Sequence, residues 1–247
     1  MHQNEFKKII SDEMIIDIAH ETLKTFSLTH NYNIWLINQL GPYIGKKTLE
    51  IGCGIGNLTF YLQHLTNLTC LDVSDFYIAH MRIDYPTIKF YRNDIADEKV
   101  RELKHAEFDT ITCINVLEHI EDDKKALQNM FDILQPKGRV LLYVPALQFL
   151  YGSVDKTISH YRRYNKNQLE KLLNEVGFII EKIFYTNIIG TLGWFVNSKI
   201  QRKKNLSYWQ IIAFDKFVPI IEKIEKHMNL PFGMSLLAIA RKCSDAY

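Results

Sequence analysis

Three glycines at alternate positions, Gly52, Gly54 and Gly56, follow the apolar run Thr48-Leu49-Glu50-Ile51, and a pattern with Leu58, Leu62 and Leu65 on one helical face follows them. Glycine serves where a backbone turns tightly and where a ligand must approach the main chain. A helix start leaves N–H groups free for such a ligand. The stretch therefore reads as a strand, a glycine loop and a helix that can hold a ligand; taken alone it also fits an ordinary βα turn. Asp72 stands near the end of the next apolar run, Leu68 to Val73, 20 residues after Gly52. A carboxylate there can accept both hydrogen bonds of a ribose diol. Asn93-Asp94-Ile95 and Asn115 end two later apolar runs, at the strand ends where open α/β sheets bind ligands.

A second group of reactive types lies further on. Glu118-His119 follows the fourth apolar run, and the tract from Tyr151 to Tyr164 holds Asp155, His160, Tyr161, Arg162 and Arg163. An aromatic, basic and acidic tract without apolar periodicity does not read as core. Histidine takes a proton near neutral pH, so His160 and Asp155 are candidates for a base or an acceptor clamp. Arg162 or Arg163 can bind a phosphate or carboxylate through a forked pair of N–H groups. The alternative is a salt-bridged loop that closes over the site and excludes water. Glu118, His119 and His160 could supply three ligands of an open metal site; the expectation is no metal, with Glu118 orienting the next helix and His119 lining the acceptor pocket.

Glu50-x-Gly52-x-Gly54-x-Gly56 followed by Asp72 resembles the class I S-adenosylmethionine-dependent methyltransferases, in particular the type 11/12/23-like small-molecule group, over about Tyr32 to Lys242. The spacing differs from the dinucleotide fingerprint, since Gly56 comes too early. The tract Asp155 to Tyr164 resembles a segment of methyltransferases from bacterial glycan and secondary-metabolite pathways. The resemblance implies S-adenosylmethionine as cofactor. It implies contacts to the methionine moiety from Gly52, Gly54 and Asn115, a ribose contact from Asp72, and further cofactor contacts from Glu50, Gly56 and Asn57. It places Asn93 and Asp94 beside the adenine, adds Val73 and Ile95 to the cofactor contacts and brings Tyr32 over the cofactor. Some relatives hold a divalent metal with Glu-x-x-Glu-His; Asn115 replaces the first Glu here. Methylation of an oxygen on a small or carrier-linked polar acceptor is the first expectation, with His160, Asp155 or His119 catalytic and Tyr151, Tyr161, Arg162 and Arg163 binding the acceptor. The alternatives are an RNA or protein acceptor, or a non-catalytic nucleotide-binding protein.

Short apolar runs alternate with amphipathic ones, which predicts an α/β Rossmann-like fold: a seven-stranded, mostly parallel sheet with helices on both faces. The strands are expected at Thr48–Ile51, Leu68–Val73, Ile88–Tyr91, Phe108–Ile114, Arg139–Val144, Phe178–Phe184 and Ser235–Ala240. Residues 1–45 form an N-terminal helical region, with Phe6, Ile9 and Ile10 on one face and Trp35, Leu36 and Leu40 on another. Residues 46–187 and 231–247 form the core, and 188–230 an inserted helical cap with a helix from Tyr208 to Met228, all within one domain. Trp194, Phe195, Tyr208 and Trp209 with Lys199, Arg202, Lys203 and Lys204 suggest peripheral membrane contact. The 247 residues carry a net charge of +2, which gives no electrostatic case for nucleic acid. Four cysteines without a Cys-x-x-Cys pair and no apolar leader favour a reducing cytoplasm. A monomer or homodimer is expected.

Overall fold

The computed structural model describes residues 20–203, 207–226, 228 and 230–243. Phe6, Ile9, Ile10 and Lys204 lie outside the described residues. Apolar runs, buried on both faces in the central strands and partly exposed in β3 and β6 at the edges, form one sheet: β1 (Lys47–Ile51), β2 (Asn67–Asp72), β3 (Lys89–Arg92), β4 (Phe108–Ile114), β5 (Leu134–Pro145), β6 (Phe178–Thr186) and β7 (Ser235–Lys242). Their order is β3-β2-β1-β4-β5-β7-β6. The first five are parallel, and β7 runs antiparallel to both β5 and β6. β5 begins earlier than the sequence suggests, because Leu134 pairs with Phe108 ahead of an irregularity in the ladder.

The helices are α1 (His30–Leu40), α2 (Thr59–Leu62), α3 (Asp75–Asp84), α4 (Asp123–Ile133), α5 (Ser153–Thr157), α6 (Lys166–Val176), α7 (Ile188–Trp194) and α8 (Tyr208–Glu225). Residues 20–27 are also helical. Local chemistry fixes several ends. The Ser74 side chain caps α3 by accepting from the Tyr77 N–H, and Gly177, at φ 105°, ends α6, as side-chain caps and left-handed glycines do. The main core lies between the sheet and α4 with α6, filled by residues such as Ile111, Leu127, Met130, Val140 and Leu173. On the other face Leu36 and Leu40 of α1 pack on Leu141, Leu237 and Ile239.

The segment between β6 and β7 packs against α1. Trp35 is buried with Val218 and Ile221 of α8, so it belongs to this contact rather than to a ligand. α8 also supplies carboxylates to two helix starts. Asp215 accepts from the N–H groups of Asn31 (3.3 Å) and Tyr32 (2.8 Å) at the head of α1. Glu225 accepts from those of Asn187 (2.9 Å) and Ile188 (2.8 Å) at the head of α7. The free donors of a helix start favour an anion there. Among the described residues, no helix is long and apolar enough to cross a membrane.

Candidate active site

β1 delivers the chain to the glycine loop at the carboxyl edge of the sheet. Gly52, Gly54 and Gly56 have φ of 74°, 51° and 87°, values that suit a residue without Cβ. A Cβ at Gly52 would lie 2.3 Å from Val116. The loop amides are already engaged: Gly52 N–H donates to the Leu71 carbonyl (2.7 Å), Gly54 N–H to Asp72 (2.8 Å) and Gly56 N–H to the Cys53 carbonyl (2.9 Å). Those three glycine amides are therefore taken up in holding the loop's shape. Glu50 points inward and accepts from the Thr59 hydroxyl (2.6 Å) and the Cys70 thiol (3.4 Å), tying β1 to α2. Burial pushes its carboxyl up to about 7. Asn57 donates to the Leu23 carbonyl (3.0 Å), and a Cβ at Gly54 would lie 3.1 Å from the Leu23 side chain. Residues 20–27 therefore lie against the loop.

Asp72 ends β2 with one oxygen on Gly54 N–H and the other on Ser74 N–H (2.9 Å); burial raises its carboxyl above the ordinary range. The Val73 side chain beside it is exposed, and Ile95 is buried. Asn93 accepts from the Asp94 N–H, and Asp94 from the Ala96 N–H, each at 2.8 Å. Asn115 ends β4 in the left-handed region at φ 53°. The Tyr32 hydroxyl lies 3.3 Å from that of Tyr143 on β5, and burial pushes Tyr32 up to about 12. Sequence reasoning passed over Tyr143; its signal was a hydroxyl in the otherwise aliphatic stretch Val140–Val144.

The second cluster is tighter than the sequence implied. Asp155 is fully buried and holds four donors: Arg163 Nε (2.7 Å), His160 Nδ1 (3.0 Å), the Gly152 N–H (2.9 Å) and the Trp194 indole N–H (3.3 Å). Burial alone would raise this carboxyl, but the His160 hydrogen bond and the Arg163 charge outweigh it and hold it below its usual value. Arg163 is also buried, donates to the Ala146 carbonyl (3.0 Å) and stacks on Trp194 at 4.6 Å. Two expectations are thereby corrected. Asp155 is not a free base and Arg163 is not an acceptor clamp, because each is the other's buried counter-charge. Arg162 is half-exposed, pairs with Asp123 (2.6 Å) and lines a pocket with Gln168 and Lys171. Tyr151 donates to the His160 carbonyl (2.7 Å), and the Tyr161 N–H donates to the Glu118 carbonyl (2.8 Å). The Tyr161 ring is exposed.

His160 is held by Asp155 through Nδ1, which leaves Nε2 3.7 Å from a Glu118 oxygen. The His119 ring meets His160 edge-on, centroids 4.6 Å apart. Glu118 is fully buried, yet neither carboxylate oxygen has a hydrogen-bond partner. Burial pushes its carboxyl up to about 7, with His160 opposing. One ligand atom from each of Glu118, His119 and His160 lies within 4.8 Å of the others. A buried carboxylate left unpaired is costly, so this arrangement calls for a proton, a bound hydroxyl or a cation.

Residues 49–140 match the family model described as a methyltransferase domain. A probable S-adenosylmethionine-dependent methyltransferase of Mycolicibacterium smegmatis is 27% identical over 140 residues, 56% of this chain and 53% of the relative. A ubiquinone biosynthesis O-methyltransferase of Pseudomonas aeruginosa is 30% identical over 112 residues, 44% of this chain and 47% of the relative. The chain thus spans about half the length of the curated relatives it matches. Among solved structures, a SAM-dependent methyltransferase from Archaeoglobus fulgidus superposes with a TM-score of 0.58 at 15% identity, covering 86% of this chain and 94% of that one. A phosphoethanolamine N-methyltransferase of Haemonchus contortus, in complex with S-adenosylmethionine, gives 0.57 at 18% identity, covering 87% of this chain and 53% of that one. These structural likenesses speak for the fold. Sheet order, glycine loop, Asp72 and the sequence matches agree that residues 49–140 carry a methyltransferase domain like that of S-adenosylmethionine-dependent enzymes.

Proposed function

We propose that the protein transfers a methyl group from S-adenosylmethionine to a hydroxyl of a small or carrier-linked polar acceptor. The observation that carries this reading is His160, fixed by Asp155 through Nδ1 with Nε2 turned to the unpaired Glu118. The residues at the strand ends fit the cofactor: a loop of left-handed glycines, an anchored carboxylate at Asp72 and an exposed apolar Val73 beside it. S-adenosylmethionine supplies a methyl on a sulfonium sulfur, already activated for in-line displacement. Asp72 takes the ribose hydroxyls, Val73, Asn93 and Asp94 border the adenine, and Asn115 and the loop carbonyls face the methionine end, whereas Ile95 belongs to the core. Positioning and exclusion of water are then the main demands on the protein.

His160 meets the remaining demand, removal of the acceptor proton. With Nδ1–H donating to Asp155, the Nε2 lone pair is free to take that proton, and Asp155 stabilises the imidazolium without itself accepting it. The ubiquinone-pathway relative, named an O-methyltransferase, supports an oxygen acceptor. A thermal-shift panel tests the cofactor: S-adenosylmethionine and its demethylated product should stabilise the chain and NAD should not. Once an acceptor is found, His160→Ala should lower turnover by roughly 10²–10⁴-fold with cofactor affinity kept. Normal turnover in that variant would sink the base assignment.

The orphaned Glu118 oxygens favour a second reading, in which Glu118, His119 and His160 hold a divalent cation that binds the acceptor oxygen. Turnover that survives exhaustive chelation would remove this reading and leave the base mechanism standing.

A further inference from the structure

α8 is apolar on two opposite sides. One side, with Ile211, Val218 and Ile221, is buried against the domain. The other presents Trp209, Ala213, Phe217, Ile220 and Ile224, all exposed, at spacings of four, four, three and four residues. That spacing forms a single stripe along the helix. Trp209 is 75% and Phe217 60% exposed. The neighbouring α7 and the π-helical turn that follows it, Phe195–Ile200, repeat the pattern, with Ile189, Leu192, Val196 and Ile200 exposed. Leu192 reaches 71% exposure. Isolated exposed apolar residues are ordinary, whereas contiguous ones mark a contact surface.

Charge indicates what that contact is. Every acidic side chain of α8 is turned toward the domain: Asp215 to Asn31 and Tyr32, Glu222 to Asn38 (2.9 Å), and Glu225 to Thr186, Asn187 and Ile188. The basic side chains are left to solvent. Lys199, Arg202, Lys216, Lys223 and Lys226 are exposed and make no ion pair among the described residues. Lys216 and Lys223 flank the apolar stripe on α8. Aromatic and aliphatic side chains with lysines along their border suit a polar–apolar boundary that carries negative charge, and long lysine stems can reach its outer layer.

We propose that the outer face of α7, the π-helical turn and α8 is a docking surface for an anionic lipid bilayer, on which the protein lies without crossing it. The proposal goes beyond methyl transfer and does not depend on it. Flotation of the full chain with vesicles tests it, comparing phosphatidylcholine alone with phosphatidylcholine containing phosphatidylglycerol. Binding should favour the anionic vesicles and weaken with salt. Trp35 and Trp194 are buried and Trp209 is exposed, so bound protein should show a blue-shifted tryptophan emission that Trp209→Phe abolishes. Phe217→Glu with Ile220→Glu should lower partitioning by at least about tenfold, with the thermal unfolding midpoint unchanged because both sites are exposed. Lys216→Glu with Lys223→Glu should lower binding to anionic vesicles only. Failure to float with anionic vesicles at low salt overturns the proposal, as does binding indifferent to these substitutions. So does a stable dimer in solution that Phe217→Glu with Ile220→Glu converts to monomer, since a second copy would then cover the face.

Discussion

Asp72 is asked to do two things at once. It anchors the amides of Gly54 and Ser74, and in the proposed function it takes a ribose diol. Asp72→Ala should therefore cost about 1.5–3 kcal/mol of cofactor binding, as for loss of a charged hydrogen-bond partner, and should also loosen the loop; unchanged affinity by calorimetry would remove the ribose assignment. Glu50 offers a test by pH. Burial lifts its carboxyl from 4.5 to about 7, so the folded state keeps a proton that the unfolded chain releases. Its contribution to stability is full below 4.5 and is lost as pH rises through about 7. Glu50→Gln should flatten that decline in urea unfolding measured across this range, and an unchanged slope would show that Glu50 is ionised in the fold. That Asp72 closes a strand was legible in the sequence, because a carboxylate ends an apolar run. The burial of Asp155 and Arg163 was not. A polar tract reads the same whether its charges face solvent or neutralise one another, and only contact with Trp194, about forty residues away, decides between them. Asp155→Ala should consequently lower stability by roughly 3–5 kcal/mol, as for breaking a buried ion pair, an effect that unfolding curves separate from a catalytic loss.

At the scale of elements, the strands followed from alternation of apolar runs and turn residues, and their bounds moved by only a residue or two at most ends, while their order in the sheet came from the structure. The helix starts were less legible where the cap comes from far away. Thr29 precedes α1 without a side-chain cap, and the carboxylate that satisfies Asn31 and Tyr32 belongs to Asp215, 184 residues from Asn31. Local signals cannot announce such a partner. Asp215→Ala should cost about 1–2 kcal/mol in chemical unfolding, and an exposed control such as Lys216→Ala should cost almost nothing. α8 also continues through Pro219 and ends at Glu225, short of Met228. A proline within a helix removes one backbone hydrogen bond, yet here Val218 and Ile221 on either side of it are buried against Trp35, and that packing carries the helix across.

For the molecule as a whole, a ligand that binds only the folded chain raises its stability by about 2.7 kcal/mol at a hundredfold excess over its dissociation constant. That shift should appear with S-adenosylmethionine in a melting experiment and fall to about half or less in Asp72→Ala at the same ligand concentration. The position of α8 has a larger consequence. Its outward side bears the exposed stripe, while on its inward side Asp215 holds the Tyr32 amide, and the Tyr32 hydroxyl meets Tyr143 on β5. A push on the surface therefore has a short mechanical route to the sheet, through one carboxylate and one tyrosine. Whatever comes to rest on that surface thus lies two side chains away from the middle of the sheet.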